Sequence, residues 1–230
     1  YIFIIPKIFP LNYFLNANNY ILKTKKYFVN GTTKYIKNYF SGMNFLAHVF
    51  LSGSDTSCAI GNLIADRLKG NKFTTLPIEI QKGVYLHRAI DQYTDQHTIV
   101  KTCVSELFPV YRHYSRVIID MYFDHFLAAN WNDYHELSLK DFSQNFYKNL
   151  EVTAPIFSES IQKFIQALIR YNWFEHYSSL TGLETILIQM EKHTKFPSKL
   201  GESTKELIEK YPYFKNHFFK FMNELIAFTK

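Results

Sequence analysis

From Met43 to Lys230, prolines and glycines divide the chain into long segments in which apolar residues recur every three or four positions. No run of alternating residues between hairpin turns interrupts them, so the pattern predicts an all-α domain. "NFLAHVFLS" reads as a short apolar helix, and Gly53, Ser54, Asp55 and Thr56 supply turn and cap chemistry before "SCAIGNLIADRLKG", which Gly70 can end. Pro77 stands where a first-turn proline would start the helix running through "IEIQKGVYLHRAIDQYTD". After Pro109, "VYRHYSRVIIDMYFDHFLAANW" is the most regular helical stretch. Further helices are predicted over 139–150, 158–172, 180–192 and 202–228, with Pro155, Pro197 and Pro212 at or near breaks.

A length of 230 residues, 47% of them hydrophobic and 20% charged, fits one globular domain with a sizeable core. Residues 1–42 stand apart. Twenty-nine of them are Phe, Tyr, Ile, Asn or Lys, and the first Met of the chain is Met43, so 1–42 reads as a non-native or disordered leader ahead of a domain over 43–230. A signal or anchor is the rival, but Lys7, Asn12 and two prolines interrupt the apolar opening.

The formal charge of +6 invites a nucleic-acid reading, which its location removes. The leader carries six Lys and no acid, leaving residues 43–230 neutral overall, without a basic stripe for duplex binding. No apolar run is long enough for a membrane span. Cys58 and Cys103 form no zinc spacing, and a reduced, cytoplasmic protein is expected.

The chemistry sits in "GVYLHRAIDQYTDQH", where His87, Asp91 and Asp95 follow one another at intervals of four beside apolar Val84, Leu86 and Ile90. Residues four apart share a helix face, so an imidazole and carboxylates can converge on one divalent cation, or else form a hydrogen-bonded pair on a solvated face. A second stripe holds His113, Arg116, Asp120 and Asp124, with His125 beside Asp124, among Met121, Phe123, Phe126 and Leu127. Carboxylates on such a core-forming helix are costly unless paired or metal-bound. His48 in "FLAHVF" and Asp66 in "GNLIADRLKG" add two more candidates, although Asp66 has Arg67, Lys69 and Lys72 as ordinary partners. Four segments each offering an internal His or Asp match the way helical metallohydrolases assemble a site between helices.

Taken in order, "MNFLAHVFLS", "GNLIADRLKG", "GVYLHRAIDQYTDQH" and "MYFDHFLAANW" resemble the successive motifs of the bacterial acyl carrier protein phosphodiesterases, from Met43 to the C-terminus. That family resembles a divergent branch of the HD (His-Asp) metal-dependent phosphohydrolases, which are helical. The resemblance implies hydrolysis of holo-acyl carrier protein to the apo form and 4′-phosphopantetheine, with Mn²⁺ or a similar ion as cofactor. Carried over, the motifs place function at His48, Asp66, His87, Asp91, Asp124 and His125. The contiguous His-Asp doublet is absent, because Arg88, Ala89 and Ile90 separate His87 from Asp91, while Asp124 and His125 stand in reversed order.

On this basis His48, His87, Asp91 and Asp124 are expected as metal ligands, with Asp66 as a further ligand or a water-orienting base. His125 is expected to protonate the departing serine oxygen, and Arg88 and Lys69 to offset phosphate charge. Asp95 and His97 are expected behind the ligands or at the helix end. Arg67, Lys69, Lys72 and Lys82 form an expected docking patch for an acidic carrier. Two alternatives keep the same helices: an HD-type phosphohydrolase acting on a nucleotide or alarmone, and a non-catalytic module that binds a carrier.

Overall fold

The computed structural model describes residues 44–194 and 196–230, and the expected leader lies outside them. The described residues contain helices and no strand, so the all-α expectation holds. In chain order the α-helices are α1 (Phe45–Leu51), α2 (Thr56–Ile64), α3 (Ile78–Gln96), α4 (Thr98–Tyr111), α5 (Ser115–Ala129), α6 (Leu139–Thr153), α7 (Glu159–Arg170), α8 (Trp173–His176), α9 (Leu180–Glu191), α10 (Thr204–Glu209) and α11 (Tyr211–Thr229). Among these residues no helix is long and apolar enough to cross a membrane.

Helix α5 is the axis of the core. Met121, Tyr122, Phe126 and Leu127 are fully buried on it, and it packs against α1, α4, α9 and α11. A helix apolar on nearly every side can only be stable when surrounded. Phe123 and Phe126 meet Phe218 of α11, and Tyr122 meets Phe214 edge-on, which is where much of the aromatic content goes.

Helices α2 and α3 cross with their backbones in close contact. A Cβ at Gly61 would stand 2.0 Å from the Ile80 carbonyl oxygen, and one at Gly83 would stand 1.9 Å from that of Cys58. Only glycine allows such contact. The crossing sets α3, which carries His87 one turn beyond Gly83, against the end of α2, which leads into Asp66.

Two local expectations need correction. Pro109 does not precede a helix but lies inside α4, over residues to which no element was assigned. Its missing N–H would have met the Ser105 carbonyl, and both residues are exposed, so water can satisfy that carbonyl. The break comes instead at Arg112, with φ of 50°, before the short 3-10 turn Arg112–Tyr114. The predicted helix over 202–228 is likewise divided at Lys210, and Pro212 occupies the first turn of α11.

Candidate metal centre

His48 is fixed on a short helix held at both ends. The α1 N-terminus offers backbone amides without intrahelical partners, and Asp124 of α5 accepts from two of them, Leu46 N at 3.0 Å and Ala47 N at 2.9 Å. At the other end Asn62 of α2 donates to the His48 carbonyl at 2.8 Å and to Ser52 Oγ at 3.0 Å. The imidazole is therefore presented by a rigid turn.

From α3, His87 lays its ring against that of His48, with centroids 4.2 Å apart and planes 24° from parallel. One turn on, Asp91 brings Oδ1 to 3.4 Å from His48 Nε2 and Oδ2 to 3.2 Å from His87 Nε2. Asp66, in the 3-10 turn Ala65–Arg67 after α2, reaches His87 Nε2 at 3.1 Å. Both imidazoles are buried, while the Asp91 and Asp66 side chains retain 39% and 22% of their exposure, so the cluster opens to solvent on its acidic side.

These separations are those of ion pairs, but the angles are not those of hydrogen bonds. All four ring nitrogens of His48 and His87 are buried without a hydrogen-bond partner among the described residues. Burial of that kind is costly for a polar atom unless something else satisfies it. One donor atom each from His48, His87 and Asp91 lies within 4.8 Å of the others. Tetrahedral ligands ~2.1 Å from a metal stand ~3.4 Å apart, so the three atoms would have to draw together around a divalent cation, which side-chain adjustment on this scale allows. Two imidazole nitrogens with a carboxylate suit Mn²⁺, Fe²⁺ or Zn²⁺.

The charges fit a cation too. Burial opposes a proton on His87, but Asp91 and Asp66 outweigh it and raise its pKa to about 10. Burial, then the neighbouring His87, keeps His48 below its ordinary value. Burial works against ionisation of Asp91, yet His87 and His48 hold the carboxyl well below the usual range. Asp120, one turn before Asp124, is pushed well above the carboxylate range by burial and by the charges of Asp91, Asp95 and Asp124. It reports the negative field that Asp91, Asp95 and Asp124 create there; the sequence places it in the second stripe, four residues from Asp124, without giving it a role in the site.

Other expected residues lie elsewhere. Asp124, expected as a ligand, spends an oxygen on each of the Leu46 and Ala47 amides and acts as the cap of α1; burial pushes its carboxyl up to about 8 against their pull. His125, expected as general acid, is buried, with Nδ1 2.8 Å from the Tyr177 carbonyl oxygen and Nε2 3.1 Å from the Tyr211 hydroxyl. The first contact makes Nδ1 the donor and leaves Nε2 to accept, so both ring nitrogens are engaged by the protein. Arg88 lies 4.5 Å over the Phe73 ring and donates to the Gly70 carbonyl at 3.5 Å, and Lys69 is exposed in the following turn. Asp95 pairs with Arg116, and His97 caps α4 through Ile99 N at 3.3 Å while meeting Glu224 at 3.0 Å, a helix-end role as expected. In the expected docking patch, Lys82 pairs with Glu79 at 2.6 Å, Arg67 lies over the Phe164 ring, and Lys69 and Lys72 are exposed. Cys58 and Cys103 are free thiols.

Residues 43–225 match the family model described as acyl carrier protein phosphodiesterase. A relative of that name in Klebsiella pneumoniae (strain 342) is 30% identical over 192 residues, covering 82% of this chain and 98% of its own. One in Yersinia pestis is 33% identical over 146 residues, 63% of this chain and 76% of its own. Another, in Photorhabdus laumondii, is 29% identical over 180 residues, 78% and 91% of the two chains. No solved structure matches. The matched stretch takes in every helix that supplies the His48, Asp66, His87 and Asp91 cluster, and the chain belongs to the acyl carrier protein phosphodiesterase family.

Proposed function

We propose that this chain converts holo-acyl carrier protein to the apo form by hydrolysing the phosphodiester between 4′-phosphopantetheine and the carrier's serine, using Mn²⁺ held by His48, His87 and Asp91. The observation that carries the reading is the buried, unpartnered His48–His87 pair facing Asp91 at the one open side of the cluster. The printed name of the relatives supplies the substrate class.

A bound divalent cation supplies Lewis-acid polarisation of a phosphoryl oxygen and lowers the pKa of water in its shell. The protein's own residues do the rest. His48, and His87 once its proton is released, would present nitrogen lone pairs from helices that cannot shift independently, because Asn62, Asp124 and the Gly61–Gly83 crossing lock them. Asp66, partly exposed beside His87, orients the attacking water and accepts its proton. Water adds to phosphorus, the bond to the serine oxygen breaks, and that oxygen leaves with the proton that Asp66 took from the water. Lys69 and Lys72, exposed in the turn after Asp66, face an acidic carrier approaching this mouth. Two free thiols suit a reducing, cytoplasmic setting.

The test is mass spectrometry of holo-carrier incubated with the protein and Mn²⁺, with and without chelator. Loss of the 4′-phosphopantetheine mass only without chelator is expected, and no loss in the presence of Mn²⁺ rejects the reading.

A further inference from the structure

Arg67 follows Asp66 directly in the 3-10 turn at the mouth of the cluster. Its guanidinium carbon lies 3.5 Å from the centroid of the Phe164 ring of α7. Phe164 touches Phe45 at 5.2 Å and Trp173 at 6.2 Å, and Phe45 stacks on Trp173 at 5.8 Å. Phe45 stands one turn before His48 on α1, so the pad beneath Arg67 is continuous with the wall that carries a metal-facing imidazole.

Stacking uses the face of the guanidinium and leaves its edge, with five N–H donors in a planar fork, free to bond. Among the described residues Arg67 forms no salt bridge or side-chain hydrogen bond; the only carboxylate acting on it is its neighbour Asp66, which is turned to His87. Arg88 differs, since its NH2 group already donates to the Gly70 carbonyl. A guanidinium seated on a ring next to Asp66 of the cluster, with no protein acceptor at its edge among the described residues, is suited to a planar pair of anionic oxygens.

We propose that Arg67, seated on Phe164, is the residue that grips the non-bridging oxygens of the phosphodiester, a role that rests on the phosphodiesterase reading above. Phe45 and Trp173 hold the Phe164 ring, and its contact with Arg67 restrains the fork, which lowers the side-chain entropy lost on binding phosphate.

The test uses the full chain loaded with Mn²⁺ and inorganic phosphate as probe, read by paramagnetic broadening of the phosphate resonance in phosphorus NMR. Arg67→Met should weaken phosphate binding by about tenfold or more, as expected for loss of charge-assisted bonds, with Mn²⁺ affinity within about twofold. KM for holo-carrier should rise by a similar factor. Arg67→Lys should recover only part of the loss, because an ammonium gives charge without the fork. Should Arg67→Met fail to fold, Phe164→Leu, which removes the pad and keeps the guanidinium, should weaken phosphate by a smaller factor. Phosphate binding unchanged in these variants with Mn²⁺ normally held, or absent in the wild type, overturns the assignment. A wild type that binds phosphate but never converts holo-carrier sinks the carrier reading and leaves the Arg67 measurement standing.

Discussion

Helices α3 and α5 carry nearly the same signature, an imidazole and carboxylates embedded in apolar sequence, and use it in opposite ways. On α3, His87 meets Asp91 and Asp66 at ion-pair distances without hydrogen-bond angles, and both its nitrogens lack a hydrogen-bond partner. On α5, Asp124 accepts two backbone amides and His125 is bonded at both nitrogens. Burial alone therefore does not distinguish a candidate ligand from a hydrogen-bonded core residue. What distinguishes them is whether the lone pairs are already used.

The largest effect should follow from His87→Ala. Loss of one of two imidazoles should abolish metal retention and reduce turnover by at least about 1000-fold, while far-UV circular dichroism stays helical. Metal content by elemental analysis checks it, and a variant that keeps its metal would remove the contrast between the helices. Asp124→Ala should do the reverse. It strands two buried amides at the start of α1 and should lower stability by about 2–4 kcal/mol in denaturant unfolding, with metal still bound by the folded fraction.

How much of this was legible beforehand depends on the range of the interactions. The helical class and most boundaries follow from local periodicity, so they were readable. The Pro109 interior was not, because whether a helix tolerates proline depends on where the Ser105 carbonyl faces. His48, Asp66, His87 and Asp91 could be nominated from residue type and context, and their meeting depends on Gly61 and Gly83, whose close approach only the packed pair shows. Asp124 and His125 were nominated on the same grounds. Their partners, Leu46, Ala47, Tyr177 and Tyr211, stand 52 to 86 residues away, and no periodicity in α5 announces them.

The two helices should also titrate with opposite sign in metal-free protein. His87 has its pKa raised to about 10, so its pairing stabilises the fold fully below the unfolded value near 6.5 and is lost as pH rises through about 10. His125 is held below its ordinary value by burial, so the unfolded state binds the extra proton and stability is lost as pH falls below about 6.5. Melting temperature against pH should show the alkaline loss reduced in Asp91→Asn and the acidic loss reduced in His125→Gln. Metal binding requires neutral His87, so it should release a proton at neutral pH, measurable as a buffer-dependent binding enthalpy.

The smallest effect belongs to an ion pair between the two helices, Arg116 of α5 with Asp95 of α3. Both side chains are about half exposed or more, at 51% and 65%, so water screens the pair. Arg116→Ala should cost at most about 1 kcal/mol of stability, and less in high salt. Its larger consequence is electrostatic. Arg116 is the cation that offsets burial and the charges of Asp91, Asp95 and Asp124 at the Asp120 carboxyl. Removing it leaves the acidic side of the cluster more negative and should tighten Mn²⁺ binding several-fold at low salt, an effect on the order of one screened charge. A weakened Mn²⁺ affinity in Arg116→Ala would mean that α5 positions the centre through this pair, and the division between a metal-holding α3 and a supporting α5 would have to be redrawn.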